Sequence, residues 1–225
     1  MATGIPTIAR RRAGTTLIVL AKEPIPGRVK TRLHPPLSLD QAAVLAAAAL
    51  DDTLEAVAAL PVAERVLAYD GARPPHAARG YRVLPQTDGT LDERLAAVFD
   101  AHAGQPVLLI GMDTPQLDAT ALAPAFAAWP DDLDAWFGPA ADGGWWALGL
   151  REARGDLLRG IPTSRDDTGA RQLARLRDAG LAVGMLPVLT DVDGIDDAVA
   201  VAGLIPRSRF AAALRSALAL TAVGA

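Results

Sequence analysis

The chain has 225 residues, of which 51% are hydrophobic and 21% are charged, and its formal net charge is -4 at pH 7. A chain of this length and composition can bury a substantial core without disulfides or structural metals. The absence of cysteine excludes disulfides and thiolate metal sites, so a metal would need oxygen or histidine ligands. The mildly acidic balance also argues against a general nucleic-acid-binding protein, whose binding surface would be broadly basic.

The first 14 residues contain three consecutive arginines and precede a short apolar segment. That segment, Leu17–Ala21, is too short for the hydrophobic region of a signal peptide, and Lys22 follows it instead of a small-residue cleavage site. No stretch of the sequence approaches the roughly 18 apolar residues of a membrane span. We therefore expect a flexible leader at residues 1–14, one domain over residues 15–225 and a cytoplasmic protein.

Segments typical of strands and of helices alternate along the rest of the chain. Strands are predicted at residues 17–21, 65–69, 82–84, 106–110, 135–137, 145–150 and 183–189. Helices are predicted at residues 39–60, 91–102, 118–129, 168–179, 195–202 and 208–220, the first two after capping boxes that begin at Ser38 and Thr90. This alternation predicts an α/β fold with a mostly parallel sheet covered by helices.

A basic loop follows the first predicted strand. Within the eleven residues that begin at Lys22, the chain has two prolines, Gly27 and the further cations Arg28, Lys30 and Arg32. A buried strand that leads into a stiff, glycine-containing, cationic loop is a common way for α/β proteins to bind phosphate. A solvated basic turn is the alternative interpretation. Because the chain as a whole is acidic, four cations in this short segment favour an anion-binding loop.

Asp113 follows the predicted strand at residues 106–110, in the turn Gly111–Pro115. Ligands of open α/β sheets bind outside the carboxyl ends of the strands, so this carboxylate lies where chemistry usually takes place. Gly111 allows a close approach of backbone and ligand. Capping of the following helix is the alternative role for Asp113.

A glycine-rich turn precedes two adjacent tryptophans, Trp145 and Trp146. Its residues Asp142, Gly143 and Gly144 are compatible with a simple hairpin turn. Alternation along the following strand would, however, bury one tryptophan and expose the other beside the turn. An exposed tryptophan there would offer a stacking surface for a sugar or a base. We therefore treat this turn as part of a candidate site.

Asp191 and Asp193 follow the predicted strand at residues 183–189, and alternation would point both side chains to the same side. With Asp113, they could supply hard oxygen ligands from separate strand ends. Such ligands suit Mg²⁺ or Mn²⁺ bridging a diphosphate, because Mg²⁺ usually takes one or two carboxylates plus substrate phosphates. The basic loop and the metal together would neutralise a leaving group of the pyrophosphate type.

These segments resemble, in order and spacing, the signatures of one bacterial protein family. The matching segments are Ala21-Lys22-x-Pro24-x-Pro26-Gly27-x-Val29-Lys30-Thr31-Arg32-Leu33, Gln86 with the helix start at 91–95, and residues 111–117, 138–146, 186–187 and 191–193. The chain resembles, over about residues 17–200, a family of uncharacterised glycosyltransferase-like proteins in the nucleotide-diphospho-sugar transferase (GT-A) superfamily. Some members of that family are described as arsenosugar-biosynthesis glycosyltransferases.

The resemblance implies a single GT-A-like domain with a mixed, mainly parallel sheet, helices on both faces and a nucleotide site in its N-terminal half. It implies that the diphosphate is bound by Lys22, Gly27, Arg28, Lys30 and Arg32. It also implies that Gln86 faces the base and that Asp113 and Asp193 hold the metal.

Three positions depart from the family pattern. Asp92 stands where the family usually has glycine, Gly194-Ile195-Asp196 replaces Thr-Pro-Glu, and Pro162 stands where a tryptophan is expected. The last two departures lie in the half of the domain that selects the acceptor in such proteins.

Three hypotheses of function follow from these residues. The first is a metal-dependent glycosyltransferase that uses a nucleotide-activated sugar, a small-molecule acceptor and Mg²⁺ or Mn²⁺. In this hypothesis Asp142 orients or deprotonates the acceptor hydroxyl, and the acceptor lies against Gly143, Gly144, Trp145 and Trp146. The second is a nucleotidyltransferase that joins an NTP to a phosphorylated small molecule and releases pyrophosphate. The third is a catalytically idle nucleotide-binding protein, and fold alone does not separate the three.

Overall fold

A seven-stranded sheet forms the centre of the computed structural model, which describes residues 14–127 and 129–223. The strands are β1 (Thr16–Lys22), β2 (Glu64–Asp70), β3 (Arg82–Pro85), β4 (Val107–Gly111), β5 (Ala135–Pro139), β6 (Trp145–Leu150) and β7 (Val183–Met185). The α-helices are α1 (Leu39–Ala56), α2 (Leu91–Asp100), α3 (Ala119–Ala127), α4 (Thr168–Asp178), α5 (Ile195–Leu204) and α6 (Arg209–Val223). Short 3₁₀-helices occupy Thr31–Leu33, His76–Ala78 and Gly155–Leu157.

The strand order across the sheet is β3-β2-β1-β4-β6-β5-β7. Strand β6 runs antiparallel to its neighbours β4 and β5, and the other paired strands of the described residues are parallel. The carboxyl ends of the parallel strands therefore meet at one edge of the sheet, where open α/β sheets bind their ligands. The predicted α/β domain with a mixed, mainly parallel sheet is confirmed.

The side chains of β1 alternate between the two faces of the sheet. Leu17 and Val19 belong to the hydrophobic cluster that includes Leu50 of α1, whereas Ile18 belongs to the cluster that includes Phe99 of α2. All five side chains are fully buried. Helices thus cover both faces, which explains why the first strand is apolar along most of its length.

A third hydrophobic cluster joins α1 to the C-terminal helices, with Leu45 of α1, Val201 of α5 and Phe210 of α6 among its members. The cluster also contains Leu33, from the basic loop, and Val192, from the segment that carries Asp191 and Asp193. Burial of apolar surface contributes roughly 25 cal/mol per Å² to stability. The cluster therefore holds together two charged segments that lie far apart in the sequence.

The predicted strands and helices are all present, and the differences lie at their ends. The first helix ends at Ala56 instead of continuing to about residue 60. The last strand was expected to reach Leu189 and ends at Met185; just beyond it, Leu186 N still donates to Phe137 O (2.8 Å), whereas the Pro187 carbonyl accepts from the Trp146 side chain (2.9 Å). Beyond that point the chain follows β5 only through isolated bonds, such as Leu189 N to Pro139 O (3.2 Å). Residues 1–13 of the expected leader lie outside the described residues.

Both capping boxes expected from the sequence are formed. The Ser38 hydroxyl accepts a hydrogen bond from Gln41 N (3.1 Å), and the Gln41 side chain accepts one from Ser38 N (2.7 Å). At α2, the Glu93 carboxylate accepts a hydrogen bond from Thr90 N (2.8 Å). These contacts satisfy N–H groups that have no partner within the first helical turn. Within the described part of the chain, no helix combines the length and the apolar character needed to cross a bilayer.

Gly169, in the first turn of α4, packs tightly against the turn between β5 and β6. Its N–H donates to Gly143 O (2.8 Å), and a Cβ atom at this position would lie 2.4 Å from Gly144 O. A side chain therefore does not fit here unless the turn moves away. This contact holds α4 and the glycine-rich turn in one arrangement.

We expect Gly169→Ala to lower the free energy of unfolding by about 1–3 kcal/mol, because the added methyl group forces the turn away from α4. Urea unfolding followed by circular dichroism measures the loss. Gly203→Ala in α5 is the matched control, since no atom of the described residues lies within 4 Å of its Cβ position. The control should keep its stability or gain up to about 1 kcal/mol. Equal stabilities of the two variants would contradict the tight packing at Gly169.

Candidate functional site

A cleft of about 630 Å³ lies at the carboxyl ends of β1 and β4. Lys22 at the end of β1, Gly111 at the end of β4 and Trp145 at the start of β6 all line it. The charged residues of the lining are Lys22, Lys30, Arg32, Asp113, Asp142, Arg165, Asp166, Asp191 and Asp193. The basic loop and the acidic turns that follow separate strands therefore share one cleft.

Lys30 lies among the acids of this cleft. Its ammonium is 2.5 Å from Asp113 Oδ1 and 3.8 Å from Asp193 Oδ1, and it donates a hydrogen bond to Val192 O. Only 9% of the side chain is exposed. Burial by itself lowers the pKa of a lysine, but Asp113, Asp191 and Asp193 outweigh burial and raise the pKa of Lys30 above its usual value. Lys30 is therefore a buried cation paired with acids from two other segments.

Two residues of the cleft have a left-handed backbone conformation. Lys30 has φ of 47° and Ser164 has φ of 59°, and among the described non-glycine residues these are the two with positive φ. This conformation costs a non-glycine residue roughly 1–2 kcal/mol. Strained backbone is concentrated at functional sites, where the surrounding structure enforces it. The strain at both residues supports the cleft as the functional site.

Asp113 is held in place by bonds between its own turn and the segment that carries the other acids. Its carbonyl oxygen accepts a hydrogen bond from Val192 N (3.0 Å). Three residues further on, the Gln116 side chain donates to Thr190 O (2.7 Å). The two acidic segments are thus joined through their backbones, and their carboxylates are brought together as a consequence.

The alternative role of Asp113 as a helix cap is not observed. The N-terminus of α3 is capped by Asp118, whose carboxylate accepts a hydrogen bond from Ala121 N (2.9 Å). The carboxylate of Asp113 faces Lys30 instead.

Asp191 lies beside these groups and is partly buried. Burial is the main reason why its pKa is raised to about 7, and Asp113, Asp142 and Asp193 raise the pKa further, whereas Lys30 lowers it. The resemblance names only Asp193 from this segment. Alternation already puts both acids on one side, but the burial of Asp191 depends on tertiary contacts that spacing does not reveal. Four acids and one lysine thus form an interacting group of charges.

The turn between β5 and β6 is a hairpin turn that also lines the cleft. As in a hairpin turn, the Asp142 carboxylate accepts a hydrogen bond from Gly144 N (2.9 Å). Trp146 is buried and donates from Nε1 to Pro187 O (2.9 Å), whereas Trp145 is only partly buried. Asp142, Gly144 and both tryptophans line the cleft. The expected alternation of the tryptophans is confirmed, and the turn is within reach of a ligand.

Four of the predicted site residues are not in the cleft lining: Gly27, Arg28, Gln86 and Gly143. Gly27 and Arg28 are exposed in the basic loop, next to residues that do line the cleft. Gly143 packs against the segment before α4, where a Cβ atom would lie 1.9 Å from Asp166 O. The contacts of these residues with a ligand stay predictions.

Gln86 makes its hydrogen bonds within the protein. Its amide group donates to Ala21 O (2.8 Å) and to Ala68 O (2.9 Å), and its oxygen accepts from Arg94 Nη1 (3.1 Å). Both amide hydrogens are therefore used by the fold, and the oxygen keeps one lone pair for a further donor. Recognition of a base by Gln86 stays a prediction. In such a contact the Gln86 oxygen would accept a hydrogen bond from the base, because both amide hydrogens are already used.

One wall of the cleft, formed by Thr163–Asp166, was not nominated from the sequence. The Thr168 hydroxyl donates to Pro162 O (2.9 Å) and so fixes the start of this loop. The Asp92 carboxylate accepts a hydrogen bond from Gly160 N (2.8 Å) just before it. Asp92 and Pro162 are two of the positions that depart from the family pattern, and both take part in the hydrogen bonds that fix the start of this loop. No motif marks the loop, because it is formed by contacts between distant segments.

The donor groups of the cleft suit a hard divalent cation by their chemistry. Carboxylate and carbonyl oxygens are the preferred ligands of Mg²⁺ and Mn²⁺. Within the described residues, no three histidine, cysteine, aspartate or glutamate side chains are grouped as in a preformed metal site. Asp113 instead contacts the Lys30 ammonium, and Asp193 pairs with Arg32 Nη1 (2.7 Å) and lies 3.8 Å from the Lys30 ammonium.

The fold built on this seven-stranded mixed sheet matches that of a protein provisionally named a nucleotide-diphospho-sugar transferase. The chain belongs to DUF2064, a family of uncharacterized proteins conserved in bacteria, whose family model matches residues 53–165. The resemblance inferred from the sequence motifs is thus confirmed. A comparison with curated proteins finds no significant match.

Three solved structures that resemble the chain are of transferases. A protein of Desulfovibrio desulfuricans G20, provisionally named a nucleotide-diphospho-sugar transferase, is 28% identical with a TM-score of 0.79, over 93% of this chain and 97% of that one. The 2-C-methyl-D-erythritol 4-phosphate cytidylyltransferase of Thermus thermophilus is 18% identical with a TM-score of 0.53, over 86% and 99%. A CMP:2-keto-3-deoxy-manno-octonic acid synthetase complexed with CTP is 13% identical with a TM-score of 0.52, over 86% and 99%.

The last two likenesses are of fold alone, because the sequences have diverged so far. The neighbour that is 28% identical supports a transferase of the nucleotide-diphospho-sugar class.

Gln86→Met should lower the free energy of unfolding by about 1–3 kcal/mol, because the acceptors Ala21 O and Ala68 O lose their donor. Urea unfolding measures the change. Gln105→Met is the control, since Gln105 is exposed and its replacement should leave the stability nearly unaltered. A Gln86 variant as stable as the control would show that these bonds contribute little to the fold.

Proposed function

We propose that this protein is a metal-dependent glycosyltransferase that uses a nucleotide-activated sugar. The observation that carries the proposal is the meeting of the basic loop and the acidic turns in one cleft, around the contact between Lys30 and Asp113. The neighbour that is 28% identical over 93% of the chain supports a nucleotide sugar in particular, since its name gives that substrate class.

The basic loop is suited to hold the diphosphate of the donor. Lys22 and Arg32 are exposed along the cleft, and Lys30 lies deeper in it. Gly27 and Arg28, which are exposed in the same loop, are the other two residues proposed to bind the diphosphate. A charge-assisted hydrogen bond to phosphate contributes about 1.5–3 kcal/mol. During transfer the diphosphate gains negative charge as it leaves with the nucleoside. The same cations therefore stabilise the transition state more than the bound donor, and this difference accelerates the reaction.

Asp113 and Asp193 are the residues that would hold Mg²⁺ or Mn²⁺. Their carboxylates already face a positive charge, since the Lys30 ammonium lies 2.5 Å and 3.8 Å from them. Two carboxylates together with substrate phosphates match the usual ligand set of Mg²⁺. When bound, the cation would supply Lewis-acid stabilisation of the leaving diphosphate. Asp191 lies beside them with its pKa raised to about 7, and a bound cation would favour its charged form.

We propose that the acceptor binds between the β5–β6 turn and the loop Thr163–Asp166. Trp145 offers a partly exposed ring against which a sugar or another flat apolar face can stack. One oxygen of Asp142 accepts from Gly144 N, and the other is available to orient the acceptor hydroxyl or to take its proton. Gly144, which lines the cleft, carries no side chain and so allows a close approach, and Gly143 beside it completes the proposed acceptor set.

A nucleotidyltransferase is the second candidate function. The observation in its favour is that a single acid, Asp113, follows β4, while the further carboxylates, Asp191 and Asp193, come from a different segment. In this reaction an NTP would react with a phosphorylated small molecule and release pyrophosphate. The leaving group is again a pair of phosphates, so the basic loop would act in the same way.

The two candidates are separated by their donors and products. A thermal-shift panel of nucleoside diphosphates, triphosphates and nucleotide sugars, with and without Mn²⁺, identifies the donor, because ligands of the native state raise its Tm. Formation of a nucleoside diphosphate from a nucleotide sugar supports the glycosyltransferase. Pyrophosphate release from NTPs with phosphorylated acceptors, without any reaction of nucleotide sugars, would reverse the order. Absence of any Mn²⁺-dependent nucleotide binding would favour the catalytically idle protein.

Asp113→Asn should remove the Mn²⁺-dependent part of donor binding, because a neutral amide replaces a charged ligand. We expect a loss of at least about 100-fold in Mn²⁺ affinity, given that even residues behind the ligands contribute 10–100-fold. Isothermal titration calorimetry with the donor identified by the panel, with and without Mn²⁺, measures the effect.

The control for this variant is Asp132→Asn, which removes a charge at an exposed position outside the cleft lining and should bind donor and Mn²⁺ normally. Circular dichroism establishes that both variants are folded. Unchanged Mn²⁺-dependent affinity in Asp113→Asn would refute the metal-binding role of Asp113.

A further inference from the structure

The Lys30 ammonium occupies a position among oxygen atoms from two separate segments. It contacts Asp113 Oδ1 at 2.5 Å, lies 3.8 Å from Asp193 Oδ1 and donates to Val192 O. These are anionic and carbonyl oxygens, the ligand types that a hard divalent cation takes in proteins. The ammonium therefore uses the same oxygen atoms that the proposed metal would need.

Lys30 is held in this position at an energetic cost. Its backbone has φ of 47° and ψ of 37°, which is unfavourable for a residue with a side chain. Neighbouring residues enforce it: Val29 and Leu33 on either side are 2% and 0% exposed and belong to two of the hydrophobic clusters. The fold thus directs this ammonium toward the acids, because removing a charge from water is unfavourable unless it is paired.

An ammonium and a divalent cation cannot both occupy contact distance from the same carboxylate oxygen without strong repulsion between them. We propose that Lys30 is a built-in counter-ion: its ammonium neutralises Asp113 in the protein without metal, while Asp193 is paired mainly with Arg32 (2.7 Å), and the ammonium moves to the donor's phosphates when a divalent cation binds these acids. The inference rests on the proposed metal-dependent function. Lys30 is in this view a positioning residue for the acids as well as a phosphate ligand.

The lysine side chain and its surroundings permit such an exchange. Lysine carries a compact charge on four flexible methylene groups, so its ammonium can move several ångströms while the backbone stays fixed. The cleft that contains it is also lined by Lys22 and Arg32, which belong to the proposed diphosphate-binding set. Released from the acids, the ammonium would join two cations around the phosphates and so increase donor affinity.

The chain offers an internal standard for a direct test, because it has only two lysines, Lys22 and Lys30. Lys22 is exposed at the end of β1 and has no ion pair among the described residues. Trace acetylation of the wild-type protein with acetic anhydride, followed by mass spectrometry, gives the reactivity of Lys30 relative to Lys22. Relative to Lys22, we expect Lys30 to be strongly protected in EDTA-treated protein and to become severalfold more reactive with saturating Mn²⁺. Because Lys22 belongs to the proposed diphosphate-binding set, an added lysine-containing peptide is the standard when pyrophosphate is present with Mn²⁺, and Lys30 should then be protected again.

A second measurement compares Mn²⁺ binding by wild-type protein and by Lys30→Met, using the electron paramagnetic resonance signal of free Mn²⁺. Without Lys30, Asp113 is no longer neutralised, although Asp193 keeps its ion pair with Arg32, so Mn²⁺ alone should bind about tenfold more tightly, which corresponds to about 1.4 kcal/mol. Pyrophosphate should bind more weakly to the same variant. Lys22→Met is the matched control, since it removes one positive charge from the same cleft without exposing the acids, and its Mn²⁺ affinity should stay close to that of the wild type.

Each outcome bears on the inference. If Mn²⁺ binds to the wild type while the reactivity of Lys30 does not rise, or if Lys30→Met binds Mn²⁺ no more tightly than the wild type, the exchange is refuted and the proposed function stands. If Mn²⁺ binds to none of the proteins, with or without pyrophosphate, the metal dependence of the proposed function is refuted and this inference with it. Should Lys30→Met fail to fold, the labelling of the wild-type protein decides.

Discussion

The ion pair between Lys30 and Asp113 is the interaction on which the rest of the cleft depends. An ammonium taken out of water costs several kcal/mol unless acids compensate it, so the basic loop can lie against the sheet only where such acids are present. Burial of Leu33 and Val192 in one hydrophobic cluster stabilises the approach of the two segments. The charges then determine how the segments align, because a displaced ammonium would be buried without a partner.

Much of this arrangement could be predicted from the sequence by one rule of sheet topology. The apolar Leu17–Ala21 segment indicates a strand covered on both faces, and the cations and Asp113 follow directly after such strands. Their meeting in one cleft is a consequence of parallel strands ending at the same edge. The direction of β6 could not be predicted in this way. Its residues Trp145–Leu150 are almost all buried, so their pattern is the same in a parallel or an antiparallel strand.

The parts of the site that could not be predicted are those formed by contacts between distant segments. Gln86 uses its amide hydrogens on β1 and β2, which a motif match alone does not reveal. The loop Thr163–Asp166 has no recognisable motif, yet it forms one wall because Thr168 and Asp92 anchor the chain around it. The bond from Lys30 to Val192 O is equally invisible in the sequence. Patterns of hydrophobicity and turn residues specify elements, whereas side-chain partners depend on how those elements pack.

Which of the two proposed reactions takes place depends on residues that lie away from the diphosphate. Glycosyl and nucleotidyl transfer both expel a phosphate-bearing group, so the basic loop and the acids serve either reaction, and the difference lies in which donor atom the acceptor reaches. That choice depends on the wall made by the β5–β6 turn and the loop before α4. Because Gly143 and Gly169 pack backbone against backbone there, the two parts of the wall are held as one rigid unit. In either proposed reaction, the position of this unit relative to Lys30 would determine which donor atom the acceptor reaches, and therefore which bond breaks.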